Sequence, residues 1–587
     1  MSRIAIVKRA DCNPKKCSHE CEKYCPVNRT GKECIIIEET AKIAEELCTG
    51  CGICPKKCPF DAIQIINLPQ QLKENPVFRY GKNAFELFRL PVPQKGQVVG
   101  ILGSNGIGKS TALEILANLL KPNLGEFEKE LLEKEIINSF KGTELQAYFT
   151  QLFSQKIKVS YKPQYIDLIP KKFKGKVIDL LSKAGSKKHI DELSKEINIG
   201  DIINRKIDQL SGGELQKVAI AAAVLKEADL YLFDEPASYL DVKERVRVAK
   251  VIRKLAEKGK HVIVVEHDLI ILDYLTDLIH ILFGQMAAYG VVSHPLSAKN
   301  GINTYLDGYL RDENIRFRDQ SIKFDHSAAS RSQDLIIFTK WPALKKKLGT
   351  FNLNIEPSEI HKKEIVGIVG ANAIGKTTFM KMIAGQLKPD SGKVPAKLKI
   401  SYKEQYLKPQ KGVTVLAALS SITKEIMTQK FKLDILRPLE IEHLMNHKLD
   451  ELSGGELQRV AIAACLSRKA DFYLLDEPST YLDVEQRLQA ARAIQKVIKD
   501  REAAALVIDH DLLFVNYVSD RLMVFDGTPA KQGKANKIQT VKAGMNHFLK
   551  ELDITLRKDP STHRPRVNQP GSQKDKIQRK QNKFYEY

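Results

Sequence analysis

The sequence predicts an α/β protein in which one domain is repeated in tandem behind a small cysteine-rich α+β head. Three observations predict it. A set of short motifs occurs twice, in the same order, along 587 residues. Each set opens with an apolar strand, a glycine-rich loop and a helix. Nine of the ten cysteines fall between Cys12 and Cys58.

The length is too great for one core, so three or more domains are expected. Hydrophobic residues make up 43% of the chain, which excludes wholesale disorder. The best apolar run, Val218 to Leu225, is far short of a membrane span. Met1 to Ala10 lacks the apolar core of a secretory signal, so a cytoplasmic protein is expected. With 93 basic and 71 acidic residues the net charge is +22. That surplus points to a polyanionic partner, nucleic acid or a ribonucleoprotein ahead of an anionic membrane surface. Tight clustering of cysteines without a signal points to a metal or cluster site in a reducing compartment, and Cys465 stands apart.

The repeat carries the organisation. Gly103-Ser104-Asn105-Gly106-Ile107-Gly108-Lys109-Ser110 returns as Gly370-Ala371-Asn372-Ala373-Ile374-Gly375-Lys376-Thr377. Leu210-Ser211-Gly212-Gly213-Glu214 returns as Leu452 to Glu456, Asp234-Glu235-Pro236 as Asp476-Glu477-Pro478, and Glu266-His267-Asp268 as Asp509-His510-Asp511. The lysines are 267 apart (376 − 109) but the signature serines 242 (453 − 211), so the first copy carries 25 extra residues (267 − 242). The surplus lies between Lys109 and Gln164, and reads as an insert over roughly 128–157. Two helices are expected there, Lys129 to Phe140 and Glu144 to Ser154, broken at Lys141-Gly142. Thr143 and Gln146 suggest a capping box for the second, and Leu145, Tyr148, Phe149 and Leu152 give it an apolar stripe. An added helical hairpin on one copy reads as a docking element. The resulting zones are a head (1–75), a first repeat (76–300), a hinge (301–330), a second repeat (331–545) and a basic tail (546–587). Arg311, Arg316 and Arg318 in the hinge, and Arg557-Lys558 and Arg564-Pro565-Arg566 in the tail, are placed to grip phosphate.

Val98 to Leu102 is a short buried strand and Ser110 opens a helix, so the glycine loop between them has the context of a P-loop. Its backbone N–H groups and the helix N-terminus suit phosphate. Lys109 and Lys376 suit β/γ-phosphates, and Ser110 and Thr377 suit Mg²⁺. Leu230 to Asp234 and Phe472 to Asp476 are apolar strands ending in a carboxylate fit for the Mg²⁺ shell. The adjacent Glu235 and Glu477 suit polarising an attacking water.

These residues, with Gln164, Gln405, Tyr239-Leu240-Asp241 and Tyr481-Leu482-Asp483, resemble the ATP-binding cassette (ABC) ATPases. The resemblance implies that each ATP is sandwiched between one cassette's P-loop and the other's signature. Site one would join Lys109, Gln164, Asp234, Glu235 and His267 to Ser453, Gly454 and Gly455. Site two would join Lys376, Gln405, Asp476, Glu477 and His510 to Ser211, Gly212 and Gly213. Thr111, Thr378, Asp241 and Asp483 belong to the same nucleotide contacts, and both histidines would sense the γ-phosphate. Ala373 stands where Gly106 has glycine and Glu404 where Pro163 has proline, yet every catalytic type survives in both sites. For the aromatic that stacks on adenine, Tyr80 or Phe85 is expected in cassette one and Trp341 in cassette two.

Cys48-x2-Cys51-x2-Cys54-x3-Cys58-Pro59 has the bacterial-ferredoxin spacing for [4Fe–4S] ligation, and Cys12-x4-Cys17-x3-Cys21-x3-Cys25-Pro26 is a relaxed copy. Zinc also takes paired cysteines, but two Cys-Pro endings favour iron–sulfur. The fourth cysteine of each run serves the other cluster in two-cluster ferredoxins. That predicts Cys25, Cys48, Cys51 and Cys54 on one cluster, and Cys12, Cys17, Cys21 and Cys58 on the other. Cys34 is surplus, a buried thiol. A structural role for the clusters is favoured.

Ferredoxin-like head, twin head-to-tail cassettes and hairpin insert together resemble the class E cassette family, also called the RNase L inhibitor family, over essentially the whole chain. Lys162-Pro163-Gln164-Tyr165, Gly301-Ile302-Asn303, Arg316-Phe317-Arg318, Gly544-Met545-Asn546 and Arg564-Pro565-Arg566-Val567-Asn568 carry the likeness outside the general cassette motifs. The resemblance implies a monomeric ATPase that splits ribosomes after termination or rescue, using two ATP, two Mg²⁺ and two [4Fe–4S] clusters. Its partners would be the small subunit, with its RNA and protein, a release-factor or Pelota-type protein, and initiation factors. The competing readings are a transporter's ATPase subunit and an ATP-coupled electron carrier.

Overall fold

The computed structural model of the protein describes residues 3–7, 11–44, 47–67, 75–318, 321–322, 324, 336–394, 398–405 and 409–586. The segment 325–330 of the expected hinge and its boundary with the second repeat at 331 lie outside the described residues. Two compact units are formed. The first is Met1–Pro236, Lys250–His267 and Leu275–Ser321; the second is Ala237–Ala249, Asp268–Tyr274 and Ile322–Tyr587. Among the described residues no helix is long and apolar enough to cross a membrane.

In the first unit the P-loop strand Val98–Leu102 runs parallel to His261–Val265 on one side and Leu278–Gln285 on the other. Leu230–Asp234 pairs parallel with His261–Val265, and Val159–Lys162 pairs parallel with Leu230–Asp234. All five residues of Val98–Leu102 and of Leu230–Asp234 are buried, because helices or loops cover both faces of a parallel sheet. In the second unit Ile365–Val369, Ala504–Ile508, Phe472–Asp476 and Ile400–Lys403 repeat the order and direction. An antiparallel extension flanks each parallel core: Tyr289–Val292 in one, Gln532–Ala535 in the other. The register places the site. Asp234 sits opposite Val265 and Asp476 opposite Ile508, each two residues short of the histidine. The P-loop, the acidic strand end and the histidine therefore meet at the carboxyl edge of the sheet, where such folds bind ligands.

The insert folds as helices Glu133–Ser139 and Glu144–Phe153. The first is shorter than expected from sequence: Leu132 is extended (ψ 146°) and holds the N-cap, with Glu135 accepting from its N–H. The expected capping box at Thr143 is replaced by a different arrangement. The Thr143 hydroxyl donates back to the Phe140 carbonyl, and Gln146 accepts from Gly142 N–H. The apolar stripe is as expected, with Leu145, Tyr148, Phe149 and Leu152 all buried. It packs into the same core as Val99, Ile101 and Leu113, and the Tyr148 hydroxyl donates to the Leu116 carbonyl. Burying Phe149 completely contributes about 1.5–3 kcal/mol.

The tail differs from a solvated basic segment. Leu556–Lys558, Pro565–Val567 and Tyr585–Glu586 form a small sheet, backed by helix Gln573–Lys580. Arg564 is wholly buried, 3.3 Å from Asp273, and Arg566 lies 3.2 Å from the same carboxylate. Arg564 is thus committed to a buried ion pair and is withdrawn from any outside phosphate. In the hinge, Arg311 and Arg316 are exposed, while Arg318 packs on the Tyr305 ring and donates to its carbonyl.

Candidate active site

In the first unit, Gly108 (φ 93°) caps helix Lys109–Leu116, the left-handed backbone turning the chain from loop to helix. Lys109 is buried and its Nζ donates to the carbonyls of Gly103 (2.9 Å) and Ser104 (2.6 Å), at the centre of the loop. The Ser110 hydroxyl donates to Asp234 Oδ2 at 2.7 Å. Gln164 Nε2 donates to Glu235 Oε1 at 2.7 Å, and His267 Nε2 lies 3.4 Å from the same oxygen. The second unit assembles the same set. Lys376 donates to Gly370 and Ala371, Thr377 to Asp476 (2.8 Å) and Gln405 to Glu477 (2.7 Å), with His510 3.4 Å from Glu477. The half-buried Thr378 follows Thr377, while Thr111 meets the exposed Tyr80 through its hydroxyl at 3.2 Å.

The signatures are helix starts. Ser211 caps Gly212–Leu225 and Ser453 caps Gly454–Ser467, each in a reciprocal box with Glu214 or Glu456. The glycine pair thus forms the first, amide-donating turn, the positive end of a helix dipole. A Cβ on Gly455 would stand 2.9 Å from the Tyr481 carbonyl, so only glycine fits there.

The two P-loops differ in strain. Gly106 has φ 73°, whereas its counterpart Ala373 has φ 58°. A side chain at a left-handed position costs about 1–2 kcal/mol.

Electrostatics separate the paired carboxyls. Burial, reinforced by Glu477, raises Asp476 to about 6. For Glu477 burial works in the same direction, but His510 and Gln405 outweigh it and hold the carboxyl down at about 2. Burial lowers Lys376 to about 8 against Asp241, Glu477 and Asp476.

One aromatic expectation changes. Trp341 is 2% exposed and packs on Phe379 in the core, so it is unavailable to a ligand. Phe351 instead stands against Gly375 as Phe85 stands against Gly108. Phe85 and Phe351 are 266 apart (351 − 85), one less than the P-loop lysines, so projecting the repeat offset from Phe85 lands on the neighbouring Asn352 and points to this stretch, whereas a search for the nearest tryptophan does not.

The head groups its cysteines across the two runs. One cavity is lined by Cys25, Cys48, Cys51 and Cys54, with buried Cys34 beside them; the other is lined by Cys12, Cys17, Cys21 and Cys58. Strand Arg3–Val7 pairs with Ile63–Asn67 around them, and helices Glu20–Lys23 and Ile53–Lys57 carry Cys21 and Cys54. Burial, with neighbouring cysteines, pushes the Cys21 and Cys54 thiols up to about 12. Such a four-sulfur donor set suits a cationic cluster that holds the thiolate form.

Fold and site together define an ABC-type ATPase with a ferredoxin-type iron–sulfur head. The ABC transporter family matches residues 92–238 and 354–480. A possible Fer4-like domain of RNase L inhibitor matches 2–33, and a 4Fe-4S binding domain matches 41–64. Over 99% of its length the chain is 51% identical to an uncharacterized ABC transporter ATP-binding protein of Methanocaldococcus jannaschii, covering 97% of that protein. It is 45% identical over its full length to ABC transporter E family member 1 of Arabidopsis thaliana (99% of that protein) and to translation initiation factor RLI1 of Saccharomyces cerevisiae (98%). A structure titled as ribosome-bound archaeal Pelota and ABCE1 superposes with a TM-score of 0.94 at 50% identity, covering 100% of this chain and 99% of that one. The chain belongs to the E family of ABC proteins, the RNase L inhibitor family. It binds and hydrolyses ATP and carries iron–sulfur domains.

Proposed function

We propose that this protein is an ATP-driven ribosome-recycling factor working in the cytoplasm, splitting ribosomes into subunits after termination or rescue. The observation that carries this reading is the union of a two-cavity cysteine head with two complete ATPase sets, in a chain related over 87% of its length to a structure of an archaeal ribosome recycling factor. That structure, a complex with ribosomal stalk protein, is 50% identical and covers 87% of this chain and 99% of its own, with a TM-score of 0.84. A transporter subunit or an electron carrier has no comparable support.

In this reading two Mg²⁺-ATP bind, one per P-loop. When bound, each supplies a γ-phosphate whose transfer to water releases ADP and phosphate. Lys109 and Lys376 neutralise phosphate charge, and Ser110 with Asp234, and Thr377 with Asp476, hold Mg²⁺. Glu235 and Glu477 orient and polarise the water, and His267 and His510 face the γ-phosphate. Signature helices from the opposite cassette, Ser453 to Gly455 for site one and Ser211 to Gly213 for site two, complete each site. Two nucleotides that shift the closed-to-open ratio of the clamp from 1:99 to 99:1 must favour closure by about 5.5 kcal/mol. Closure moves the head with its two [4Fe–4S] clusters as a structural wedge. Exposed Arg311 and Arg316 and the net charge of +22 favour ribosomal RNA. A Pelota- or release-factor-type protein would stimulate the cycle.

Gradient sedimentation of purified ribosomes with the protein, ATP and a release-factor-type protein tests this. Separated subunits are expected; intact particles that persist while ATP is consumed would refute recycling. Glu235→Gln with Glu477→Gln is expected to trap the protein, ATP-filled, on small subunits.

A further inference from the structure

Each cassette buries a lysine for which the mechanism above has no use. Lys162 is 1% exposed and Lys403 is 3% exposed, at the ends of the strands Val159–Lys162 and Ile400–Lys403. An ammonium is rarely buried without strong compensation. Here the hydrogen bonds go to backbone, while the nearby charges of Asp234 and Glu235, or of Asp476 and Glu477, favour the ammonium. Lys162 Nζ donates to the carbonyls of Asp234 (2.8 Å) and Glu235 (3.2 Å). Lys403 Nζ donates to Asp476 (2.8 Å) and Glu477 (3.4 Å).

The peptide they grip is unusual. Glu235 and Glu477 both have φ 47°, a left-handed conformation that a glutamate rarely adopts. Their N–H groups donate to the neighbouring strand, at Val265 and Ile508. Their carbonyls turn inward, each accepting from the lysine and from a signature-helix glutamine, Gln216 (2.8 Å) or Gln458 (2.6 Å). That turn sends the side chain toward Gln164 and His267 in one cassette, and Gln405 and His510 in the other. A regular β conformation at this residue would continue the strand and redirect the carboxylate.

We infer that Lys162 and Lys403 are positioning residues for hydrolysis, holding the strained peptides of Glu235 and Glu477 so that both carboxylates stay aimed at the reacting water. The hydrogen bonds of both lysines go to backbone carbonyls, so their effect falls on turnover rather than on binding. This rests on the proposed role of the two glutamates.

The test uses the full chain with its iron–sulfur head. Lys162→Met with Lys403→Met keeps the volume and removes the donors. We expect kcat to fall at least tenfold, with KM and Mg²⁺-ATP affinity within twofold. Adding the same pair to Glu235→Gln/Glu477→Gln should change the residual rate by less than twofold, because the group they position is already disabled. Ser160→Ala with Ser401→Ala is the structural control: these hydroxyls are buried on the same strands but bond to Ala223 and Cys465 carbonyls. It should lower the melting temperature and leave kcat within twofold. Unchanged kcat in folded Lys→Met protein, or an equal loss in the Glu→Gln background, overturns the inference. Should the methionine pair fail to fold, Lys162→Gln with Lys403→Gln decides by the same kcat and KM criteria. If Glu→Gln alone leaves turnover intact, the role of the glutamates falls instead.

Discussion

Within the second unit, Asp241 Oδ2 accepts a 2.7 Å hydrogen bond from the backbone N–H of Asn372. An acidic residue of the first repeat's Tyr-Leu-Asp motif is therefore seated on the P-loop of the second repeat. Burial alone would raise its carboxyl, but His510, the Asn372 and Glu244 amides and Lys376 outweigh it and keep it below the ordinary value. Asp241 also caps its own helix through Glu244 N–H at 2.9 Å. One carboxylate thus joins a helix start to a phosphate-binding loop.

Replacing Asp241 with alanine removes that anionic acceptor. A hydrogen bond to a charged group contributes about 1.5–3 kcal/mol, so ATP affinity at the second P-loop should fall roughly tenfold or more. Calorimetric titration with ATP in the Glu235→Gln/Glu477→Gln background should show one weakened class of site beside one unchanged. Two unchanged sites would remove Asp241 from the nucleotide machinery.

Ala373 carries a backbone strain that Gly106 escapes. Ala373→Gly is expected to stabilise the second unit by about 1 kcal/mol, since glycine adopts positive φ freely. Gly106→Ala should do the reverse in the first unit, where an added Cβ would also press on Met286 Cγ at 2.7 Å. Urea unfolding of the two variants against the parent reads both signs.

The cysteine cavities predict an epistasis that spacing within one run would not. Cys25→Ser and Cys51→Ser line the same cavity, so each should cost half the iron and the double variant no more than half. Cys51→Ser with Cys58→Ser spans both cavities and should lose nearly all of it. Iron and acid-labile sulfide per chain decide; additive loss in the Cys25/Cys51 pair would contradict the grouping.

His280 supplies a pH dependence independent of nucleotide. It is 2% exposed, accepts from Val92 N–H at Nε2 and donates from Nδ1 to the Ser293 carbonyl at 2.7 Å. Burial, with His294, lowers it to about 4 against the pull of Ser293. The unfolded imidazole takes its proton near pH 6.5 and the folded one only near 4, so stability from this group is whole above 6.5. It then declines by about 1.4 kcal/mol per pH unit down to about 4. Urea midpoints between pH 7 and 5 should show this slope, and His280→Gln should flatten it.

The legible parts of this protein were those that depend on local chemistry. The doubled P-loops, the acidic strand ends and the histidines were readable because phosphate and Mg²⁺ impose residue types at short, fixed spacings. The strands Val98–Leu102 and Leu230–Asp234 followed from unbroken apolar runs, and the stripe of Glu144–Phe153 from its helical period. Cysteine spacing even anticipated the crossed grouping of Cys25 and Cys58. Burial decided the rest, and burial is a property of distant neighbours. Trp341 became core and Phe351 took the place beside the P-loop, because parallel pairing of the strand Phe351–Ile355 with Gln532–Ala535 fixes which of its residues reach Gly375. Arg564 is withdrawn from the surface because Asp273, 291 residues away in sequence, neutralises it. In the sequence Lys162 stands out only as part of the string Lys162 to Tyr165 and Lys403 not at all; the sheet lays both beneath the peptides of Glu235 and Glu477. By itself the sequence determined which chemistry this chain carries. Only the tertiary structure decided which charges are withdrawn from water to hold that chemistry in place, because desolvation is set by contacts that no local spacing records.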